Sequence, residues 1–135
     1  MSEKLKELFI QEKRKTSHYD EYRILEESEK KIFLSIYPGD TGQSAVTDII
    51  IDDQEIKTGI RGTIEDYLLG TNKSLHAKTL EVYTAITDIQ ADTDLTTFKF
   101  HLKGGTAPYY YEMQKTVQSH GETIIYKMTI FFTIY

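Results

Sequence analysis

The end of the chain alternates large apolar side chains with a mixed set of residues. From Thr123 to Tyr135 the even-numbered positions are large and mostly apolar: Ile124, Tyr126, Met128, Ile130, Phe132 and Ile134. A side-chain period of two is typical of a β-strand with one face in the core. The odd-numbered positions include Ile125, Phe131 and Tyr135. This second face is too apolar to be plainly exposed to water, so it is either covered within the fold or contacts a partner.

The same alternation predicts three further strands between residues 78 and 122. Their apolar positions are Leu80, Val82 and Ile86, then Phe98, Phe100 and Leu102, then Tyr109, Tyr111, Met113 and Val117. The connections 88–94, 104–108 and 118–122 are short and rich in turn residues, which favours antiparallel pairing of consecutive strands. We therefore predict a four-strand meander over residues 78–135.

The first part of the chain predicts a hairpin and one more strand. Residues 22–26 and 31–37 have the pattern of two strands joined by a short turn. A helix that continues from residue 15 to residue 27 is the competing interpretation of the first of them. Residues 46–52 predict a strand with both faces partly apolar, and residues 53–59 then turn the chain.

Two helices are predicted. Residues 2–15 have an N-cap serine, an apolar face formed by Leu5, Leu8 and Phe9, and cations in the last turn. This helix could cover one end of a sheet or dock on another subunit. Residues 63–69 predict a shorter helix, because Thr63 and Asp66 have capping-box spacing and a glycine follows. An irregular crossover is the alternative for this second segment.

Together these elements predict a mainly β protein of the α+β class. At 135 residues we expect a single domain over residues 1–135. It would consist of a helix over residues 1–15 and an antiparallel β-sandwich or partly closed barrel of about seven strands over residues 22–135. A single sheet would leave an apolar face that one short helix cannot hide.

Composition narrows the possible chemistry and location. The chain has no cysteine, which excludes disulfides, thiolate catalysis and cysteine zinc sites. Its formal net charge of -5 argues against nonspecific binding to nucleic acid. The first residues lack the apolar run of a secretory signal, and no stretch is long and apolar enough to predict a membrane-spanning helix. We therefore expect a cytoplasmic protein.

The motifs that could carry chemistry are weak. Asp88, Asp92 and Asp94 could donate oxygen ligands to calcium, but the Gly and Glu of the EF-hand pattern are missing, and aspartates also simply favour turns. The four histidines lack metal-ligand spacing, and the glycines do not form a phosphate-binding loop. The sequence therefore predicts no catalytic residue and no cofactor.

Aromatic residues on the less apolar strand faces are the other unusual feature. The chain has ten tyrosines and no tryptophan. Tyrosine is enriched at protein–protein interfaces, although ordinary cross-strand packing is the alternative explanation. With the apolar face of the N-terminal helix included, the predicted interface residues are Leu5, Leu8, Phe9, Tyr83, Tyr110, Phe131 and Tyr135.

These observations favour a non-enzymatic structural or adaptor protein that acts through protein–protein contacts, either with a partner or as a homo-oligomer. The alternative is a small-ligand-binding β-barrel, either a carrier or a small enzyme. Its aromatic interior would include Phe98, Phe100, Tyr109, Tyr111 and Tyr126. A calcium-dependent module is the third hypothesis, and it depends on the acidic loop.

Overall fold

The computed structural model of the protein describes residues 16–39, 43–88, 95–117 and 121–134. They form two β-sheets packed face to face, which confirms the predicted β-sandwich in a mainly β chain. Within these ranges neither sheet closes into a barrel, and there are nine strands rather than about seven. The predicted helix over residues 2–15 lies outside the described residues.

The two sheets contain five and four strands. In chain order the elements are β1 (Thr16–Leu25), β2 (Lys31–Pro38), β3 (Gln43–Ile51), β4 (Gln54–Arg61), β5 (Ile64–Thr71), the short helix α1 (Asn72–Leu75), β6 (Thr79–Asp88), β7 (Leu95–Lys103), β8 (Tyr109–Thr116) and β9 (Thr123–Ile134). Sheet A has the order β1-β9-β6-β3-β4, and sheet B has the order β5-β2-β7-β8. Neighbouring strands are antiparallel except β1 and β9, which run parallel.

The core lies between the sheets and uses the alternate positions that the sequence indicates. The even-numbered side chains of β9 from Ile124 to Phe132 are at most 3% exposed. Among them, the Tyr126 hydroxyl lies 2.5 Å from Thr96 Oγ1 and donates to the Thr96 carbonyl at 3.1 Å. The ring therefore fills apolar space while its polar group remains hydrogen-bonded, as burial requires.

The predicted meander is wrong in its pairing. β7 and β8 form a hairpin, but β6 pairs with β3 and β9 in sheet A, while β7 and β8 belong to sheet B. The segments after β6 and after β8 therefore cross from one sheet to the other. Turn residues indicate that a strand ends, but they do not indicate whether the next strand pairs with it or joins the facing sheet.

The predicted hairpin of residues 22–26 and 31–37 is also wrong. β1 begins earlier, at Thr16, and pairs with β9 in sheet A, whereas β2 lies between β5 and β7 in sheet B. The connection from Glu26 to Lys30 thus links the two sheets rather than two neighbours. A parallel pair needs its partner strand from far along the chain, so local sequence does not reveal it.

Two further segments differ from their predictions. Residues 53–59 belong largely to β4, which follows β3 through a two-residue turn at Asp52 and Asp53, both with positive φ. β4 is exposed over most of its length, so it lacks the alternation that marks a half-buried strand. Residues 63–69 belong largely to β5 rather than to a helix. The capping box lies further along the chain, at Thr71 and Ser74, where it begins α1.

α1 contains four residues and packs on β5. In the part of the chain that the structure describes, no helix has the length and apolar character needed to cross a membrane.

Asn72 joins three connections at one end of the sandwich. Its side chain is buried, accepts a hydrogen bond from the Glu26 N–H at 3.0 Å, and donates to the carbonyls of Lys30 and Gly104 at 2.8 Å each. These bonds tie the β1–β2 crossing to α1 and to the β7–β8 loop. One buried amide therefore satisfies three backbone groups that strand pairing does not reach.

We expect Asn72→Ala to lower the free energy of unfolding by about 1–3 kcal/mol, because the Glu26 N–H and the Gly104 carbonyl lose their side-chain partner, whereas the Lys30 carbonyl keeps its bond from the Asn72 N–H at 2.9 Å. Asn72→Asp should also destabilise the protein, since a carboxylate can accept from Glu26 but cannot donate to the two carbonyls. Urea denaturation followed by circular dichroism measures both effects. The exposed neighbour Lys73 provides the control: Lys73→Ala should change stability by less than about 0.5 kcal/mol. Equal stability of Asn72→Ala and Lys73→Ala would contradict the role of this amide.

Candidate interaction site

β1 is the outermost strand of sheet A within the described ranges, and its inward side chains contact β8 of sheet B. The rings of Tyr19 and Tyr111 stack with centroids 3.9 Å apart, and the Arg23 guanidinium lies 4.6 Å from the centroid of Tyr109. The Tyr19 hydroxyl donates to Glu21 at 3.2 Å, and this bond to a carboxylate raises the pKa of Tyr19. Aromatic and cation–π contacts therefore hold β1 against sheet B while β9 pairs with it in sheet A.

The outward side of β1 carries an apolar patch. Tyr22 is 70% exposed and Ile24 is 38% exposed. Tyr22 pairs in register with Phe131 of β9, and their rings stack at 5.0 Å. We call Tyr22, Ile24 and Phe131 the edge patch. Tyr22 is the most exposed large hydrophobic residue in the described part of the chain.

A second apolar cluster lies in the middle of the outward face of sheet A. Ile50, Tyr83, Ala85 and Ile125 form it, with Val46 packed beside them, and we call these five residues the outer cluster. The first four are at most 7% exposed. They alternate along their strands with residues of the main core, which places them on the opposite face of the sheet.

Charged groups border the outer cluster. The Tyr83 hydroxyl donates to Glu81 at 2.9 Å, and Lys127 lies 3.7 Å from Glu81 and 5.4 Å from the centroid of the Tyr83 ring. Burial, followed by the bond to Glu81, raises the pKa of Tyr83. The ammonium and carboxylate are themselves largely shielded from solvent, with exposures of 22% and 21%.

Sheet B presents a smaller aromatic group on its outward face. Tyr110 is exposed, and its ring contacts His101 edge-on at 4.5 Å. The ring of Tyr37 lies 5.2 Å from His101 on the other side. Lys99 and Lys103 flank the histidine along β7 and approach Glu112 and Asp66 at 3.9 and 3.7 Å. The outward face of sheet B is therefore polar around the rings of Tyr37, His101 and Tyr110.

The predicted interface residues are not brought together at one site. Phe131 lies in the edge patch, Tyr83 in the buried outer cluster, and Tyr110 on the far side of the sandwich. Leu5, Leu8, Phe9 and Tyr135 lie outside the described residues, so their predicted roles stay predictions. Sequence reasoning missed Tyr22 and Ile24. Their alternation with Arg23 and Leu25 could have indicated a strand with an apolar outward face.

The described ranges contain no candidate metal site. No group of three or more His, Asp or Glu side chains there could hold a metal ion. Asp88 ends β6, while Asp92 and Asp94 lie outside the described residues, so calcium binding by the acidic loop stays a prediction.

The aromatic interior is filled by its own rings. Phe98, Phe100 and Tyr126 are fully buried, and Phe98 stacks on Tyr126 at 5.3 Å between centroids. A cavity between Arg23 and Tyr109 measures only about 10 Å³, roughly the space of one water molecule. This packing argues against a ligand among these rings.

An open cleft lies elsewhere, along β4 and β5. It has a volume of about 360 Å³, and Ile56 and Leu68 lie in its lining with Asp52 and Lys78. Its size is in the range of small-molecule sites, but it is open and about as polar as apolar. It is therefore not the enclosed aromatic interior that the sequence predicts.

His101 on sheet B provides a test of the placement of Lys99 and Lys103 around it. Burial, then the charges of Lys103 and Lys99, lower the pKa of His101 from its ordinary value of 6.5. The unfolded chain therefore binds the proton more readily, so this histidine should reduce stability as pH falls below 6.5. An NMR titration should give a His101 pKa below 6.5 that rises in Lys103→Gln and stays unchanged in Lys57→Gln. A value above 6.5 would contradict the arrangement.

No protein-family model matches the sequence, and no curated protein or solved structure matches it either. The surfaces of the chain itself are therefore the basis for a functional proposal. Among these, the edge patch combines an outermost strand with exposed apolar side chains.

Proposed function

We propose that this protein is a non-enzymatic structural or adaptor subunit that acts through protein–protein contacts and associates with itself. The observation that carries the proposal is the edge patch on β1, where Tyr22 is 70% exposed and stacks on Phe131. Exposed aromatic side chains that are already held in place are favourable interface anchors, because little side-chain entropy is lost on contact.

The backbone of β1 supports association through its edge. In a parallel pair, alternate residues bond to the neighbouring strand and the residues between them face away. The Tyr22 N–H faces away from β9 and donates to the Glu21 carboxylate at 3.0 Å. The Ile24 carbonyl accepts from Thr106 Oγ1 at 3.0 Å. Side chains therefore occupy these edge groups in the single chain, and a pairing strand would have to displace them.

A second copy of the chain is the partner that best fits this edge. Antiparallel pairing of two β1 strands about a twofold axis at Tyr22 places the two Tyr22 residues opposite each other. The same register places Glu21 of each copy opposite Arg23 of the other, so both neighbouring pairs have opposite charges. The sequence Glu21-Tyr22-Arg23 is thus complementary to itself, as a twofold interface requires.

This pairing would join two copies of sheet A into one continuous sheet. The Tyr22 N–H would exchange its bond with Glu21 for a bond to the Tyr22 carbonyl of the second copy. Glu21 would then be released to the facing arginine. The edge patches of both copies would lie side by side on the same outward face, which removes their apolar area from water.

We expect the protein to form a concentration-dependent dimer, and Tyr22→Lys should raise the dimer Kd by about tenfold or more. The substitution removes the central aromatic pair and places two cations opposite each other. Sedimentation velocity over a range of concentrations measures the Kd. Tyr110→Lys is the matched control, because Tyr110 is also an exposed tyrosine on a strand but lies on sheet B. A wild-type chain that is monomeric at every concentration would refute the proposal.

A charge exchange tests the register. Glu21→Arg alone should weaken the dimer, because it places cations opposite each other at both charged pairs, and Arg23→Glu alone should weaken it through facing anions. The double variant restores opposite charges and should recover much of the lost affinity. Thermal unfolding of each variant checks that the monomer fold persists. If the double variant were as weak as the sum of the two single changes, the Tyr22-centred register would be wrong even if the protein were a dimer.

A further inference from the structure

The outer cluster is buried without any described element above it. Ile125 is 0% exposed and Ala85 is 3% exposed, although both face away from the main core. All nine described strands belong to the two sheets, and the described helix packs on β5 of sheet B. The outward face of a sandwich is ordinarily in water, and its side chains are then mostly polar. Something beyond the described elements must therefore shield this face.

We propose that residues 1–15 of the same chain cover the outer cluster as an amphipathic helix, with Leu5, Leu8 and Phe9 packed on it. The proposal is independent of self-association through β1. It assigns these three residues to an internal contact rather than to an interface with another subunit.

The path of the chain places this segment beside the cluster. β1 begins at Thr16, and Thr16 pairs in register with Ile125. Ile125 pairs with Ala85, and Ala85 pairs with Val46, so one row crosses four strands of sheet A. The chain thus enters the sheet at the end of the row that contains three members of the outer cluster.

The length of the segment matches the width of the face. A helix of about 14 residues is about 21 Å long. Crossing sheet A from β1 to β4 spans four strand separations, or about 19 Å. A helix that turns back at Thr16 could therefore run over the whole sheet, from the edge strand to the far side of the cluster.

The composition of the segment matches the chemistry of the face. Leu5, Leu8 and Phe9 are spaced for one side of a helix, while Glu3, Glu7 and Arg14 fall on the opposite side. The apolar side of the helix would therefore meet the apolar side chains of Ile125 and Val46, with the small Ala85 between them. The polar side of the helix would then face water.

The absence of tryptophan from the chain allows a single-tryptophan test in the full-length protein. With Phe9→Trp, we expect blue-shifted emission and a severalfold lower acrylamide quenching constant than with Glu7→Trp, which places the probe on the opposite side of the helix. Adding Val46→Lys to Phe9→Trp should raise the quenching, since Val46 lies at the border of the cluster and tolerates change better than Ile125. Adding Tyr22→Lys should leave it unchanged, which separates this proposal from dimer formation.

Two results would overturn the inference. Equal quenching at positions 7 and 9 would show that the segment does not present this face to the sheet. Protection of the Phe9→Trp probe that disappears on dilution would show that the segment covers another copy rather than its own chain. Protection that is independent of concentration and sensitive to Val46→Lys is the supporting result.

Discussion

The position of β9 as the second strand of sheet A is the constraint on which the rest of the structure depends. β9 pairs with β6 on one side and with β1 on the other, so its backbone is bonded along both edges. Its even-numbered face builds the centre of the core, where Tyr126 is satisfied by Thr96 of the facing sheet. For β9 to occupy this place, the chain must cross from sheet B after β8, and β1 must join sheet A in parallel. The connection after β1 must then cross to sheet B, and the buried amide of Asn72 stabilises that crossing with three hydrogen bonds.

The features of the fold that could be predicted are those that residues close together in the sequence determine. The alternation along β6, β7 and β9 is local, and it identified the strands and the main core correctly. Pairing is not local, because β1 and β9 pair with each other although most of the chain lies between them in sequence. The pattern also fails for β4, which is exposed on most positions and therefore has no apolar period. At residues 63–69 a capping pattern suggested a helix, but pairing with β2 outweighed that weak local preference.

The candidate interaction surfaces also combine features that the local sequence predicts with features that depend on strand pairing. The odd-numbered face of β9 was recognised as too apolar for water, and Ile125 and Phe131 turn out to differ along that face. Ile125 is fully buried in the outer cluster, whereas Phe131 lies near the edge and stacks on Tyr22. The alternation along residues 22–25 could have placed Tyr22 on an apolar outward face, but its stacking on Phe131 follows from the parallel pairing of β1 with β9, which the sequence does not reveal. Tyr83 is the opposite case, because the sequence predicts an interface residue and the structure buries it beside Glu81 and Lys127.

The edge patch and the outer cluster pose different physical problems, although both lie on sheet A. The cluster is broad and central, so leaving it in water would expose four apolar side chains continuously, and a permanent cover is the favourable solution. The edge is narrow, and its outward backbone groups already have partners in Glu21 and Thr106. Association there gains the stacking of exposed rings but must replace bonds that the single chain already has. Pairing through β1 would therefore bring only a modest net gain in free energy, and a dimer held by this edge would depend on protein concentration.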